Sequence, residues 1–218
     1  MSQGAPNAAK AMLIAALIGG TSYVLAWGMD LPQGWDLAWK GTGVGFLTLF
    51  AALRARSVDG WLLAAVMLFG VLGDVLLGVN FITGALAFLV GHLVAIGLFL
   101  RNRRPVLSRS QLLLAVVLVP ATVTIAFLLP TDRTAAPGVA LYAAGLSAMA
   151  ACAWISRFPR FWVGLGAVMF LVSDLLIFAR MGQIAPSFEV GLAVWGLYFA
   201  GQVMICLGVS GKLAEEGR

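Results

Sequence analysis

Charge is what this chain has least of. Only 11% of its 218 residues are Asp, Glu, Lys or Arg, and 61% are hydrophobic; a soluble domain is nearer about a quarter charged and about half apolar. Such a composition excludes a water-exposed surface over most of the chain and makes lipid its solvent. Histidine occurs once, which excludes the two-histidine zinc motif HExxH. Cysteine occurs twice, at Cys152 and Cys206, both inside apolar runs. No disulfide or thiolate–metal framework can be built from them, and they read as small apolar fillers. Also missing are the phosphate-cradling P-loop, the GxGxxG dinucleotide turn and the GxSxG nucleophile elbow. No metal and no cofactor is expected.

What is present is long apolar runs. Residues 11–29, 110–131, 134–156 and 190–211 carry no charge, and 60–100 carry only Asp74 and His92. A span needs about 20 mostly apolar residues. Eight transmembrane helices are predicted, over residues 11–28, 37–53, 61–78, 82–100, 111–129, 138–156, 161–179 and 190–209, with a break near Gly78-Val79-Asn80. The fold class expected is an all-α membrane protein, one integral membrane domain over 1–218. The first run is longer than a signal peptide's apolar core and lacks a small-x-small site after it, so it reads as the first span.

A net charge of +5 raises nucleic acid as a partner, but the distribution argues against it. With the N-terminus inside, eleven Lys/Arg, Arg218 among them, fall on the inner side; only Lys40, Arg133 and Arg180 fall outside. That is the positive-inside bias, and it predicts an N-in, C-in topology in a bacterial inner membrane, with membrane lipids as neighbours and no nucleic acid. Arg133 and Arg180 read as solvated or as facing lipid phosphates. Trp27, Trp35 and Trp39 fall near one predicted interface, and Trp61, Trp154 and Trp162 near the other, as an aromatic belt requires. Gly41, Gly43 and Gly45 read as a close helix contact.

The chain repeats itself. "LGDVLLG" around Asp74 matches "VSDLLIF" around Asp174, and "FLVGHLVAIG" matches "YFAGQVMICLG", pairing His92 with Gln202. Both Asp helices run outward, which predicts a 4+4 parallel repeat. A carboxylate inside the bilayer is costly and usually functional. Depth along the helices puts Asp74, Asp174, Lys40 and Tyr142 in the outer half, with His92, Tyr198 and Gln202 deeper. Each has a plainer reading: the Asp residues as ties through Ser173, Asn80 or backbone, or as holders of a coupling proton or Na⁺; Lys40 as snorkelling outward; His92 as a satisfied interior histidine; the tyrosines as packing.

At "GDVLL…GH" and "SDLLIF…YFAGQ" the chain resembles the YhhN family, the lysoplasmalogenases, eight-helix membrane hydrolases that cleave the vinyl ether bond of lysoplasmalogens. The resemblance runs over roughly helices 2 to 8. It implies that Asp74 and Asp174 are catalytic and that His92, Gln202, Lys40 and Tyr142, with Ser147-Ala148-Met149, stand at family positions. Lys40 is followed by Gly41 where the family usually has Pro, and Ala95 stands where an aromatic is usual. A lysophospholipid substrate is implied. The chemistry suits paired carboxylates: a vinyl ether is protonated at its β-carbon, and the resulting oxocarbenium ion is handled in glycosidases by two carboxyl groups. Lys40, by its charge, would distinguish the two. The competing reading is a proton- or Na⁺-coupled transporter using the Asp pair. Its signature, broken helices at matching positions in the two halves, is lacking: most prolines fall at helix ends, and Pro120 has no counterpart in helix 1. A membrane scaffold would leave the buried charges unexplained.

Overall fold

Serine, asparagine and proline set where the helices begin and end. The computed structural model describes residues 4–217; Met1–Gln3 and Arg218, the latter counted above on the inner side, lie outside the described residues. Eight α-helices follow in chain order: α1 (Gly4–Ser22), α2 (Gln33–Arg54), α3 (Val58–Leu77), α4 (Phe81–Arg101), α5 (Arg109–Leu128), α6 (Ala136–Ile155), α7 (Leu165–Ala179) and α8 (Phe188–Glu216). Ser57 opens α3 by accepting from Gly60 N at 3.2 Å. Ser108 and Gln111 cap α5 reciprocally, so two otherwise orphaned donors are satisfied at once. The predicted break between the third and fourth runs is present: Asn80 Oδ1 accepts from Thr83 N at 3.1 Å and starts α4.

Among the described residues, seven of the eight helices, α1 taken with the 3-10 turn that follows it and α7 with the π-helical turn that precedes it, are long and apolar enough to cross a membrane, and the chain is an integral membrane protein. Leu141, Ile82 and Leu113 are each about two thirds exposed, which suits a lipid solvent. Helix α2 falls short of that apolarity. It begins four residues before the predicted start at 37, and the added turn brings in Gln33, Trp35 and Asp36. It also packs on α1 and α3, and Gly41, Gly43, Val44, Leu47, Phe50 and Ala51 are buried. A helix flanked by protein needs less apolar surface than one flanked by lipid.

Other ends also differ from the expected bounds: α1 starts at Gly4 rather than 11, α3 at Val58 rather than 61, and α7 at Leu165 rather than 161. Residues 23–28 tighten into a 3-10 turn, Tyr23–Gly28, after α1. Helix α8 continues past residue 209 to Glu216, because Lys212, Leu213, Ala214, Glu215 and Glu216 are good helix formers, with Lys212 and Glu215 paired at 3.3 Å. Hydropathy ends before propensity does.

The chain divides into two compact units: residues 1–95 with 209–218, and residues 96–208. In the first, α2 lies between α1 and α3. Trp39 Nε1 donates to Ser22 Oγ at 3.0 Å, and Gln33 Nε2 donates to the Gly78 carbonyl at 2.9 Å, capping the end of α3. In the second, α6 packs on α5 and α7. One end of that unit is stitched by Asn102, whose Oδ1 accepts from Arg157 Nε at 2.7 Å and whose carbonyl accepts from Arg157 N at 2.8 Å. Another tie joins Thr131 Oγ1 to the Met181 carbonyl at 3.0 Å. A π-helical turn, Arg160–Gly164, leads into α7 after Pro159.

Candidate functional site

In the first unit, Asp74 lies in the last turn of α3 and is 2% exposed. The residue before it is Gly73, and a Cβ there would stand 2.5 Å from the Phe88 ring of α4. Only a residue without a side chain lets Phe88 reach the α3 backbone. The Phe88 ring lies nearly parallel to that of His92, one turn further along, with centroids 6.5 Å apart. His92 is buried. The structure thus brings Asp74 and His92 onto two helices joined beside the carboxylate. Lys40 is half-buried on α2; a Cβ on the adjacent Gly41 would stand 3.2 Å from Val75, the neighbour of Asp74. Among the described residues Lys40 makes no ion pair. Tyr23, which sequence reasoning passed over, is buried and lies 3.5 Å from Asp36 Oδ2 through its hydroxyl. The signal for it was slight: a tyrosine closing the first apolar run.

In the second unit, Asp174 on α7 is 6% exposed. Tyr142 of α6 donates its hydroxyl hydrogen bond to Asp174 Oδ2 at 2.7 Å. The same tyrosine ring meets Phe178 edge-on at 5.6 Å, so Tyr142 is clamped by the α7 face that carries Asp174. Ser173, beside the carboxylate, donates to the Val194 carbonyl of α8 at 2.9 Å. Asn80 and Ser173, expected as candidate ties for the carboxylates, thus serve a helix start and an interhelical bond.

Tyr198 and Gln202 are buried on one face of α8, and Gln202 Nε2 donates to Tyr198 Oη at 3.4 Å. The Tyr198 ring meets Phe170 edge-on at 5.0 Å, and Phe170 and Asp174 share a face of α7 at i, i+4. Between them the backbones touch: a Cβ on Gly201 would stand 2.6 Å from the Gly166 carbonyl oxygen. The second unit therefore gathers Tyr142, Asp174, Tyr198 and Gln202 along α7. Ser147 and Met149, which follow Tyr142 on α6, are buried, with Ser147 Oγ donating to the Ala143 carbonyl at 2.6 Å. Cys152 and Cys206 are not joined in a disulfide. Arg133 is held at the surface by the Phe127 carbonyl at 2.8 Å.

Each cluster holds one carboxyl group in a water-poor setting. A carboxyl group oriented by a hydroxyl is positioned for proton transfer.

The comparisons with known proteins bear on the same helices. Residues 35–209 match the model of the YhhN family. Two curated relatives, named lysoplasmalogenase, come from Mycobacterium bovis and Mycobacterium tuberculosis; each is 32% identical over 159 residues, covering 68% of this chain and 59% of the relative. The match thus spans less than two thirds of those relatives' length. No solved structure matches. The extent of the family match, reaching from α2 to α8 and taking in all seven candidate residues, establishes that the chain belongs to the YhhN family.

Proposed function

We propose that this chain is a membrane-embedded hydrolase that cleaves the vinyl ether bond of lysoplasmalogens, alkenyl-glycerophosphocholine or -ethanolamine, releasing a fatty aldehyde and the glycerophospho-base. The observation that carries the reading is Asp174, buried on α7 and held by the Tyr142 hydroxyl at 2.7 Å. Asp74, equally buried beside the Phe88–His92 pair, supplies the second carboxyl group. The name carried by the two mycobacterial relatives supports the same chemistry.

In the proposed reaction one carboxylic acid gives its proton to the β-carbon of the vinyl ether. The double-bond electrons form the new C–H bond, and the ether oxygen's lone pair stabilises the α-carbon as an oxocarbenium ion. The other carboxylate takes a proton from a water molecule as it attacks that carbon. The hemiacetal then breaks its C–O bond to the glycerol, giving aldehyde and alcohol, so one water is consumed per bond cleaved. Two carboxyl groups serve an oxocarbenium ion in this way in glycosidases. Tyr142 fixes the orientation of Asp174; Lys40, His92, Tyr198 and Gln202 support or bind substrate.

The proposal extends to the setting. The eleven-to-three distribution of Lys/Arg supports both termini on the cytoplasmic face of a bacterial inner membrane. The matched surroundings of Asp74 and Asp174 support one membrane domain built as a 4+4 repeat.

The test is product identity. Purified protein is incubated with an alkenyl lysophospholipid and with its acyl counterpart. Fatty aldehyde from the first, with no fatty acid from the second, is the expected result. Fatty acid from the acyl lipid, or aldehyde from neither, overturns the reading.

A further inference from the structure

Gln202 is 2% exposed in α8. Its Nε2 is engaged by Tyr198, which orients the amide, and its Oε1 is buried with no hydrogen-bond partner among the described residues. Buried amide oxygens nearly always have a donor, and an unmet one carries the full penalty of its lost hydration. Packing holds the group where it is. Gly201, its neighbour, lies against the Gly166 carbonyl, and the Tyr198 ring is seated on Phe170. Rotating α8 to seek a donor would break both contacts. Phe170 stands four residues from Asp174, about 6 Å along the axis, so Tyr198, which holds the amide, packs on the α7 face that carries the carboxyl group.

A ligand that fits must bring a donor of its own. Resting on the vinyl-ether reading above, the substrate does this. In a choline lysoplasmalogen the phosphodiester is ionised and the quaternary ammonium has no N–H. The only O–H or N–H group is the free glycerol hydroxyl, two carbons from the ether oxygen. In a two-chain lipid that hydroxyl is acylated or alkylated and donates nothing. We infer that Gln202 Oε1 accepts the hydrogen bond of the free glycerol hydroxyl, making Gln202 the residue by which the site selects one-chain lipids. The selection works by leaving a buried acceptor unmet when the hydroxyl is missing, and a site of that kind rejects the deficient analogue strongly.

Binding tests this apart from cleavage. The full-length protein in detergent is titrated calorimetrically with 1-alkyl-glycerophosphocholine, a saturated ether that cannot be hydrolysed by protonation, and with its 2-deoxy analogue. The wild type is expected to bind the hydroxyl form about tenfold or more tightly. In Gln202→Met the two ligands should bind equally; in Gln202→Glu, which keeps an acceptor, the preference should persist. Gln202→Leu replaces the Met variant if that one fails to assemble, and the wild-type comparison stands without either. Equal binding of both ligands by the wild type, or a preference that survives Gln202→Met, overturns the inference and leaves the acceptor to a buried water. Aldehyde release from the alkenyl lipid is measured alongside: its absence with the hydroxyl preference intact sinks the hydrolase reading and keeps the subsite.

Discussion

In the α3–α4 pair, Gly91 faces the Val66 carbonyl and Phe69; in the α7–α8 pair, Gly201 faces the Gly166 carbonyl and Phe170. Adding 100 to the α3 numbers and 110 to the α4 numbers carries Val66, Asp74, Phe88, Gly91 and His92 onto Gly166, Asp174, Tyr198, Gly201 and Gln202. Each pair sets a carboxyl group on one helix and an aromatic followed one turn later by a polar residue on the other. The fillings differ. The α3 pair has Gly73 under a phenyl ring where the α7 pair has Ser173 bonded to Val194. On the neighbouring helices, Tyr142 gives its hydroxyl to Asp174, whereas Thr42 at the matching place in α2 gives its own to the Trp39 carbonyl at 2.6 Å. Small-residue contacts keep the register, and the polar side chains are then free to diverge: a common register for two carboxyl groups, with distinct surroundings.

The largest effect expected is on turnover. Asp74→Asn and Asp174→Asn keep shape and remove proton transfer, and each should lower aldehyde release by about 10²–10⁴-fold, the range of general acid–base catalysis. Loss at one position with near-full activity at the other would break the comparison and make the silent carboxyl group a structural tie.

Next comes packing. Gly201→Ala drives a Cβ to 2.6 Å from a backbone oxygen, whereas at Gly91 the nearest atom is Phe69 Cβ at 3.1 Å. Overpacking of this sort costs about 1–3 kcal/mol. The melting temperature of Gly201→Ala should therefore fall clearly further than that of Gly91→Ala; equal shifts would mean that the α7–α8 contact is no tighter than its counterpart.

Tyr142→Phe removes the donor to Asp174 while keeping the ring on Phe178. A hydrogen bond to a carboxylate is worth about 1.5–3 kcal/mol, so turnover should fall about tenfold or more and the pH–rate profile should move. An unchanged profile would show the tyrosine to be packing alone. Smallest is Ser173→Ala, which loses one neutral bond to Val194 and should cost about 1 kcal/mol by denaturant or thermal unfolding, with activity largely retained. A larger loss of activity would place Ser173 in the chemistry.

Much of this architecture is readable in the chain because hydropathy and capping residues work locally. The break at Gly78-Val79-Asn80 follows from Asn80 capping α4, and the Tyr198–Gln202 pair follows from i, i+4 spacing on one helix. Two things were not readable. The extension of α8 through Lys212–Glu216 is carried by helix propensity in a polar stretch, which a search for apolar runs passes over. The Tyr142–Asp174 bond joins residues 32 apart in the chain; depth along each helix can be counted from sequence, but azimuth is decided by how α6 packs on α7. Lys40 shows the same gap from the other side, because its place on α2 was legible while its lack of an ion pair among the described residues depends on where the side chain points.

The claim that Asp74 and Asp174 work as one unit meets its most direct test in the double variant. Turnover of alkenyl-glycerophosphocholine is measured for Asp74→Asn, Asp174→Asn and both together, each checked for assembly by its melting temperature. Residues that act as a unit are grossly non-additive. The double variant should therefore be little slower than the slower single variant. Losses that multiply, so that the double variant is slower by the product of the two single effects, would contradict the account and leave two carboxyl groups with independent tasks.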